Sequence, residues 1–145
     1  MFLGCKALEY IDVSSWNTAK AEDMSHMFYC GENLTALNLS GWDTANVTDM
    51  SGMFGYCYSL TALNVQGWNT ANVTDMMGMF QFCESLETLD LSSFETTSVR
   101  NMQNMFYGCE KLNNLNIRSF SVHKDTVTSQ MFNNCPAKTS LAVSE

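Results

Sequence analysis

Proline and basic residues are the scarcest components of this chain of 145 residues. One proline and seven lysines and arginines stand against 15 aspartates and glutamates, and the formal net charge is −8. Phosphate backbones and anionic lipids repel an acidic chain, so we expect neither as a partner. No apolar run comes near the roughly 18 residues that a membrane-spanning helix requires. We therefore expect no nucleic acid binding and no membrane insertion by this segment.

Motifs of catalysis and of metal binding are lacking as well. The two histidines, His26 and His123, stand alone, and the acidic residues recur at intervals rather than as one close pair. No glycine-rich phosphate loop, nucleophile motif or C-x-x-C pair occurs. The sequence therefore predicts a non-enzymatic protein with no catalytic residues, no cofactor and no metal centre.

What the chain has instead is a 26-residue repeat without insertion or deletion. The pair Met-Phe marks each repeat, at Met1, Met27, Met53, Met79, Met105 and Met131. A fixed period of this length is typical of a solenoid, in which each repeat buries its apolar side only against its neighbours. We predict one repeat domain, 1–145, that consists of coils 1–26, 27–52, 53–78, 79–104 and 105–130 and a partial, capping coil 131–145.

The first half of each repeat has the alternation of a short strand. Residues 60–65 read L-x-x-L-x-V, and the same pattern recurs at 26-residue intervals. Parallel strands are predicted at Tyr10–Val13, Ala36–Leu39, Ala62–Val65, Thr88–Leu91 and Asn114–Ile117. An aromatic residue follows each strand, and we expect Trp42 to stack between Trp16 and Trp68 in the core.

The second half of each repeat has the spacing of a helix. Intervals of three and four residues join Val47, Met50, Met53, Phe54 and Cys57. Asn46 with Asp49, and Asn72 with Asp75, fit an N-cap and an acidic first turn. The predicted fold class is an α/β solenoid, a leucine-rich-repeat-like right-handed coil stack with one short parallel strand and one short helix per 26-residue repeat.

Three polar or thiol columns each allow two interpretations. Five of the six cysteines share one column, which favours a reduced core ladder, with a bridge between Cys5 and Cys30 as the alternative. Thr18, Thr44, Thr70 and Thr96 fit a structural role in turns, or else a flat water-ordering face. Asp23, Asp49 and Asp75 fit helix capping, or else a calcium site.

The repeat has a recognisable relative. The string M-F-x-x-C-x-x-L-x-x-L-x-L-S-x-W-x-T-x-x-V-x-D-M resembles the 26-residue repeat of BspA-family leucine-rich-repeat surface proteins of bacteria. The resemblance covers essentially the whole chain and is best in Met27–Gly52 and Met53–Gly78. It implies an extracellular location at the bacterial cell surface and a role in adhesion. It carries over no single ligand residue.

Two exposed surfaces are candidates for binding. One is the outward face of the predicted strands, which includes Tyr10, Asp12, Asn38, Asn64, Gln66, Asp90, Asn114, Asn116 and Arg118. The other consists of the aromatic residues after the Met-Phe pairs, which are Tyr29, Tyr56, Tyr58, Phe82 and Tyr107. Strand solvation explains the first set equally well, and packing over the gaps between coils explains the second.

The sequence thus predicts a cell-surface repeat module for adhesion or for binding a protein or glycan ligand on a host, a matrix or a neighbouring cell. The alternative is a structural spacer or self-assembling, fibre-forming surface repeat. Because Met1 falls in the middle of a repeat, we expect a fragment of a longer surface protein whose anchor or signal lies outside it. End-to-end self-association is expected through Phe2, Leu8, Ile11, Val13 and Trp16, or through the Leu141–Val143 edge.

Overall fold

The computed structural model describes residues 2–137 and 142–144, and the strands in this part of the chain are short. Six strands have three residues each: β1 (Tyr10–Asp12), β2 (Ala36–Asn38), β3 (Thr88–Asp90), β4 (Asn114–Asn116), β5 (Ser121–His123) and β6 (Ala142–Ser144). They form three two-stranded parallel sheets, β1–β2, β3–β4 and β5–β6, within the described residues. Tyr10 pairs with Ala36 and Thr88 with Asn114, so partners in the first two sheets occupy equivalent positions of successive repeats.

The predicted sheet is therefore only partly present. Parallel pairing at the repeat distance is confirmed for β1–β2 and β3–β4. The prediction of one strand in every repeat is wrong, because Ala62–Val65 forms none. The amide of Thr61 donates to the Thr35 carbonyl at 3.3 Å, and no amide of residues 62–65 then continues the pairing. The sheet is interrupted in the third repeat, and β5–β6 pairs at a different distance, Ser121 with Ala142.

The predicted fold class, a leucine-rich-repeat-like α/β solenoid with a helix per repeat, is wrong. No helix occurs in the described residues, and hence none that is long and apolar enough to cross a membrane. The segments expected to be helical are runs of turns whose alternate amides donate to the next repeat rather than along the chain. Where the second repeat meets the third, the donors are Met50, Gly52, Phe54 and Tyr56, and the acceptor carbonyls are Asp75, Met77, Met79 and Gln81, at 2.8–3.0 Å.

The backbone of these turns is incompatible with an α-helix. Each run that joins two repeats contains two residues with positive φ, such as His26 (φ 53°) and Cys30 (φ 59°) where the first repeat meets the second. An α-helix requires φ near −60° at every residue, and a left-handed residue ends it. The same two positions are left-handed in later repeats, for example at Gly52 and Tyr56 and at Gly78 and Phe82. The glycines at these positions are the sequence signal for turns.

The predicted core is correct even though the helix is not. Met50, Met53, Phe54 and Cys57 are completely buried, because consecutive turns bring residues three and four apart to the same side, as a helix does. The aromatic column is confirmed as well. Trp42 stacks between Trp16 and Trp68, with ring centroids 6.5 and 6.1 Å away, and its Nε1 donates to the Val13 carbonyl at 2.9 Å.

Threonine hydroxyls join successive repeats inside this core. The Thr70 hydroxyl donates to the Glu95 carbonyl at 2.9 Å and accepts from the Glu95 amide at 2.8 Å. Thr18 and Thr96 make the same pair of bonds with Asp43 and Ser121. All four column threonines are buried. The structural interpretation is therefore confirmed, and no flat threonine face is present among the described residues.

Replacement of Trp42 by alanine tests the stacked core. The ring is 6% exposed and packs against rings on both sides, so Trp42→Ala should lower the free energy of unfolding by about 3–5 kcal/mol. Trp42→Phe, which keeps a stacked ring, should cost less. Urea denaturation monitored by circular dichroism measures both. A loss below ~1 kcal/mol for Trp42→Ala would contradict the buried stack.

Candidate functional site

The outward strand face is a row of satisfied polar groups. Oδ1 of each Asp or Asn in one column accepts the backbone amide two residues further on, at 2.9–3.4 Å. This column consists of Asp12, Asn38, Asn64, Asp90 and Asn116. Hydrogen bonds from the side chain and amide of Ser14 hold the pKa of Asp12 below its usual value, and Ser92 does the same for Asp90. The column thus closes the turns after the strands.

Two shallow depressions lie on this strand face. The larger, about 210 Å³, is lined by Thr88, Leu89, Asp90, Asn114 and Asn116. The smaller, about 150 Å³, is lined by residues that include Asn64, Gln66 and Trp68. The structure thus brings three of the predicted face residues together at one depression and two at the other. Tyr10 and Arg118 lie exposed outside both, and Tyr10 is 57% exposed.

The second candidate surface is a continuous row of aromatic side chains, which we call the aromatic ribbon: His26, Tyr29, Tyr56, Phe82 and Tyr107. Consecutive ring centroids along it lie 5.0, 5.1, 4.9 and 5.1 Å apart. Tyr58 joins the ribbon edge-on at 6.0 Å from Tyr56. His26 is exposed and the others are half-buried. The five residues predicted as a second interface are therefore in contact, and His26 is a member that the sequence did not indicate.

Glycines of the next repeat make room for these rings. A Cβ on Gly52 would lie 2.8 Å from the His26 ring, on Gly55 2.9 Å from Tyr29, and on Gly108 2.6 Å from Phe82. Each glycine occupies the position of its aromatic partner in the following repeat. These three rings therefore lie on the backbone of the neighbouring repeat, across the junctions between repeats, as the packing interpretation expected.

Carboxylates border the aromatic ribbon. Glu32, Tyr58, Glu84 and Glu110 occupy the same position in successive repeats. Partial burial and then the charge of Glu84 raise the pKa of the Tyr58 hydroxyl, and Glu32 contributes in the same direction. Lys6 pairs with Glu32 at 2.6 Å. Glu84 and Glu110 have no ion-pair partner among the described residues.

The acidic column at Asp23, Asp49 and Asp75 has a structural explanation. The three residues are bridged in parallel, and Oδ1 of each accepts the amide two residues on, at 2.7–2.8 Å. The predicted helix-capping role is wrong because these bonds close turns. Asn46 is not a cap either, since its Nδ2 donates to the Ala19 carbonyl at 2.8 Å. Among the described residues, no three His, Cys, Asp or Glu side chains cluster closely enough to hold a metal ion.

The cysteines are free thiols, and three of them are sealed in the core. Cys57, Cys83 and Cys109 are buried, and each Sγ donates to a carbonyl of the preceding repeat at 3.1–3.3 Å. Burial raises the pKa of the Cys57 thiol to about 12, and it raises the pKa values of Cys83 and Cys109 as well. The core ladder is therefore confirmed for these three cysteines. Cys5 and Cys30 are half-buried, and a bridge between them stays a matter for measurement.

The geometry defines a class of protein: 26-residue repeats joined by parallel backbone hydrogen bonds, with polar turns on one surface and aromatic rings on another. The family model described as "Mycoplasma protein of unknown function, DUF285" matches residues 1–37 and 30–143. The chain belongs to this DUF285 family, which is a repeat family of the surface-protein type. No curated protein and no solved structure matches the chain significantly.

Substitution of a ribbon glycine tests how the rings are seated. Gly108 has φ 73° and would place a Cβ against Phe82, whereas Gly4, at the same position of the first repeat, has φ 72° and open space. Both alanine variants carry about 1–2 kcal/mol of left-handed strain, and Gly108→Ala adds about 1–3 kcal/mol of overpacking. Urea denaturation should therefore show the larger loss of stability for Gly108→Ala. Equal losses would show that Phe82 is not seated on this backbone.

Thiol reactivity tests the cysteine ladder. In native protein Cys57, Cys83 and Cys109 should react much more slowly with a colorimetric thiol reagent than the three half-buried cysteines, because they are buried and protonated. Denatured protein that has not been reduced should show all six thiols as free. Four or fewer would refute the ladder and indicate a bridge within or between chains.

Proposed function

We propose that this chain is a non-enzymatic repeat module of a bacterial surface protein, and that it binds a protein or glycan ligand through an exposed surface. The observation that carries the proposal is the aromatic ribbon, whose rings touch one another outside the core. The core has its own aromatic stack in Phe28, Phe54, Phe80 and Phe106. Aromatic residues are enriched at protein interfaces, and the tyrosine and phenylalanine rings of the ribbon stay half-exposed although they pack on neighbouring repeats.

The family supports the location of this module. DUF285 membership is compatible with a surface protein, and the 26-residue string resembles the BspA-type repeat. We propose on these grounds that the chain is a BspA-type surface repeat on the outside of a bacterial cell, with adhesion as its role. The ligand would lie on a host, a matrix or a neighbouring cell.

A structural spacer is the second candidate, and one observation favours it. The polar groups of the strand face serve the chain itself, since the whole Asp/Asn column closes turns. Side chains also tie repeats together away from the core, as when Asn72 Nδ2 donates to the Ala45 carbonyl at 2.8 Å. Because these polar groups already have hydrogen-bond partners within the chain, they require no ligand.

Self-assembly of the repeats stays a prediction. In the first repeat Phe2, Leu8, Ile11 and Trp16 are only half-buried, as expected for a surface that another repeat could cover, but Val13 is buried. Of the other predicted edge, Leu141 and the side chains of 142–143 lie outside the described part of the chain. Light scattering as a function of concentration tests this association.

A binding screen against glycans and matrix proteins separates the two candidate functions. For any ligand found, Tyr56→Ser should weaken binding about tenfold or more, because aromatic anchors dominate interface energies. Asn64→Ala, on the strand face, should leave the dissociation constant unchanged. Surface plasmon resonance measures both. The reverse pattern would move the site to the strand face, and no binding to any ligand class would favour the spacer.

A further inference from the structure

We propose that the aromatic ribbon, together with Glu32 and Glu84, is a docking surface for an extended, cationic polypeptide segment with lysine or arginine side chains. This inference rests on the proposed binding function and names the chemistry of its partner. Three features of the described residues support it: the continuity of the rings, the charge beside them and the orientation of neighbouring ring planes.

The ribbon has the dimensions of a short peptide. Tyr29, Tyr56, Phe82 and Tyr107 come from four successive repeats, and each ring centroid is 4.9–5.1 Å from the next. Three such steps span at most about 15 Å, which is the length of roughly four or five residues of extended chain. A peptide of this length would meet a ring in every repeat that it crosses.

The charge beside the rings selects for cations. Glu32 and Glu84 occupy the positions one repeat before and one repeat after Tyr58, and Glu110 continues the same column. Their negative charges help to raise the pKa of the Tyr58 hydroxyl. Lys6 forms its ion pair with Glu32, at the first of these repeats. Ammonium and guanidinium groups bind both the faces of tyrosine and phenylalanine rings and carboxylates. A row of rings with carboxylates along its border is complementary to a basic peptide, and the net charge of −8 favours its approach.

The orientation of the rings disfavours a sugar as the occupant. A pyranose ring stacks on a flat aromatic platform, but neighbouring ribbon rings are inclined by 63°, 34° and 80° to each other. Edges and faces therefore alternate along the ribbon. A small cation needs only one ring face within about 6 Å, so inclined rings with carboxylates nearby suit it better.

The first experiment measures binding of a fluorescein-labelled peptide with alternating arginine and glycine residues to the full chain by fluorescence anisotropy. Peptides with glutamate or glutamine in place of arginine serve as the charge controls. The arginine peptide alone should bind, and its affinity should fall as salt is raised. Tyr56→Leu keeps the bulk of the side chain but removes the ring, and it should weaken binding about two- to fivefold. Denaturation curves confirm that each variant is folded.

A matched pair of variants tests whether the carboxylates act locally. Glu84→Gln and Asp90→Asn each remove one negative charge, and asparagine already occupies the position of Asp90 in other repeats, as at Asn64 and Asn116. Glu84→Gln should weaken binding of the arginine peptide at least about threefold, as expected for a cation beside a half-exposed carboxylate. Asp90→Asn should leave the dissociation constant within experimental error.

Four outcomes would overturn the cationic partner. Equal losses for Glu84→Gln and Asp90→Asn would mean that the peptide senses only net charge. Unchanged affinity for Tyr56→Leu would place the peptide elsewhere. Binding of a neutral glycan at the ribbon, without binding of the arginine peptide, would refute the cationic partner while the proposed binding function stands. Failure of the same protein to bind any peptide, glycan or matrix protein would refute both the cationic partner and the proposed binding function.

Discussion

The hydrogen bond from the backbone amide of one repeat to a backbone carbonyl of the next is the interaction on which the rest of the structure depends. It recurs at alternate residues through every turn segment, as from Phe54 to Met79 at 2.9 Å and from Phe80 to Met105 at 3.0 Å. An amide that donates to the next repeat cannot donate to the fourth residue before it, so the segment cannot be an α-helix. The residues with positive φ serve the same hydrogen bonding, because they turn the backbone so that alternate amides point toward the neighbouring repeat.

These hydrogen bonds between repeats fix the register in which the side chains stack. Since equivalent residues of successive repeats lie side by side, each kind of side chain stacks on its own kind. Phenylalanines lie 5.7 Å apart and tryptophans 6.1–6.5 Å apart, and the buried thiols recur at the same period. An insertion of one residue would break the bonds of a whole repeat with both neighbours and would shift its columns out of line. The absence of insertions from 1–130 therefore has a physical cause in the backbone rather than in any ligand.

Parallel pairing and the core could be predicted from the sequence because both follow from the period. Trp42 lies where its column places it. The helix could not be distinguished from consecutive turns, since Val47, Met50, Met53 and Phe54 reach the same side in either conformation. The spacing of apolar residues shows on which side of the chain each side chain lies. It does not show which carbonyl accepts each backbone hydrogen bond. The members of the aromatic ribbon other than His26 could be predicted from the sequence. The packing of its rings against glycines could not, because it depends on contacts between neighbouring repeats.

The packing of rings against glycines of the next repeat explains how repeats with the same backbone can have different exposed side chains. Tyr29 and Phe82 need space in the next repeat, and Gly55 and Gly108 provide it. Where no ring precedes it, as at Gly78, a glutamine side chain fills the space instead, with Gln81 Cδ 3.0 Å from the point that a Cβ would occupy. At three junctions a ring is thus matched by a glycine in the next repeat, namely His26 by Gly52, Tyr29 by Gly55 and Phe82 by Gly108. The Asp/Asn column on the strand face hardly varies. The other columns of the strand face vary too, as from Ser14 to Gln66 and Arg118. The Asp/Asn column stays uniform because its Oδ1 atoms hold the backbone turn of every repeat.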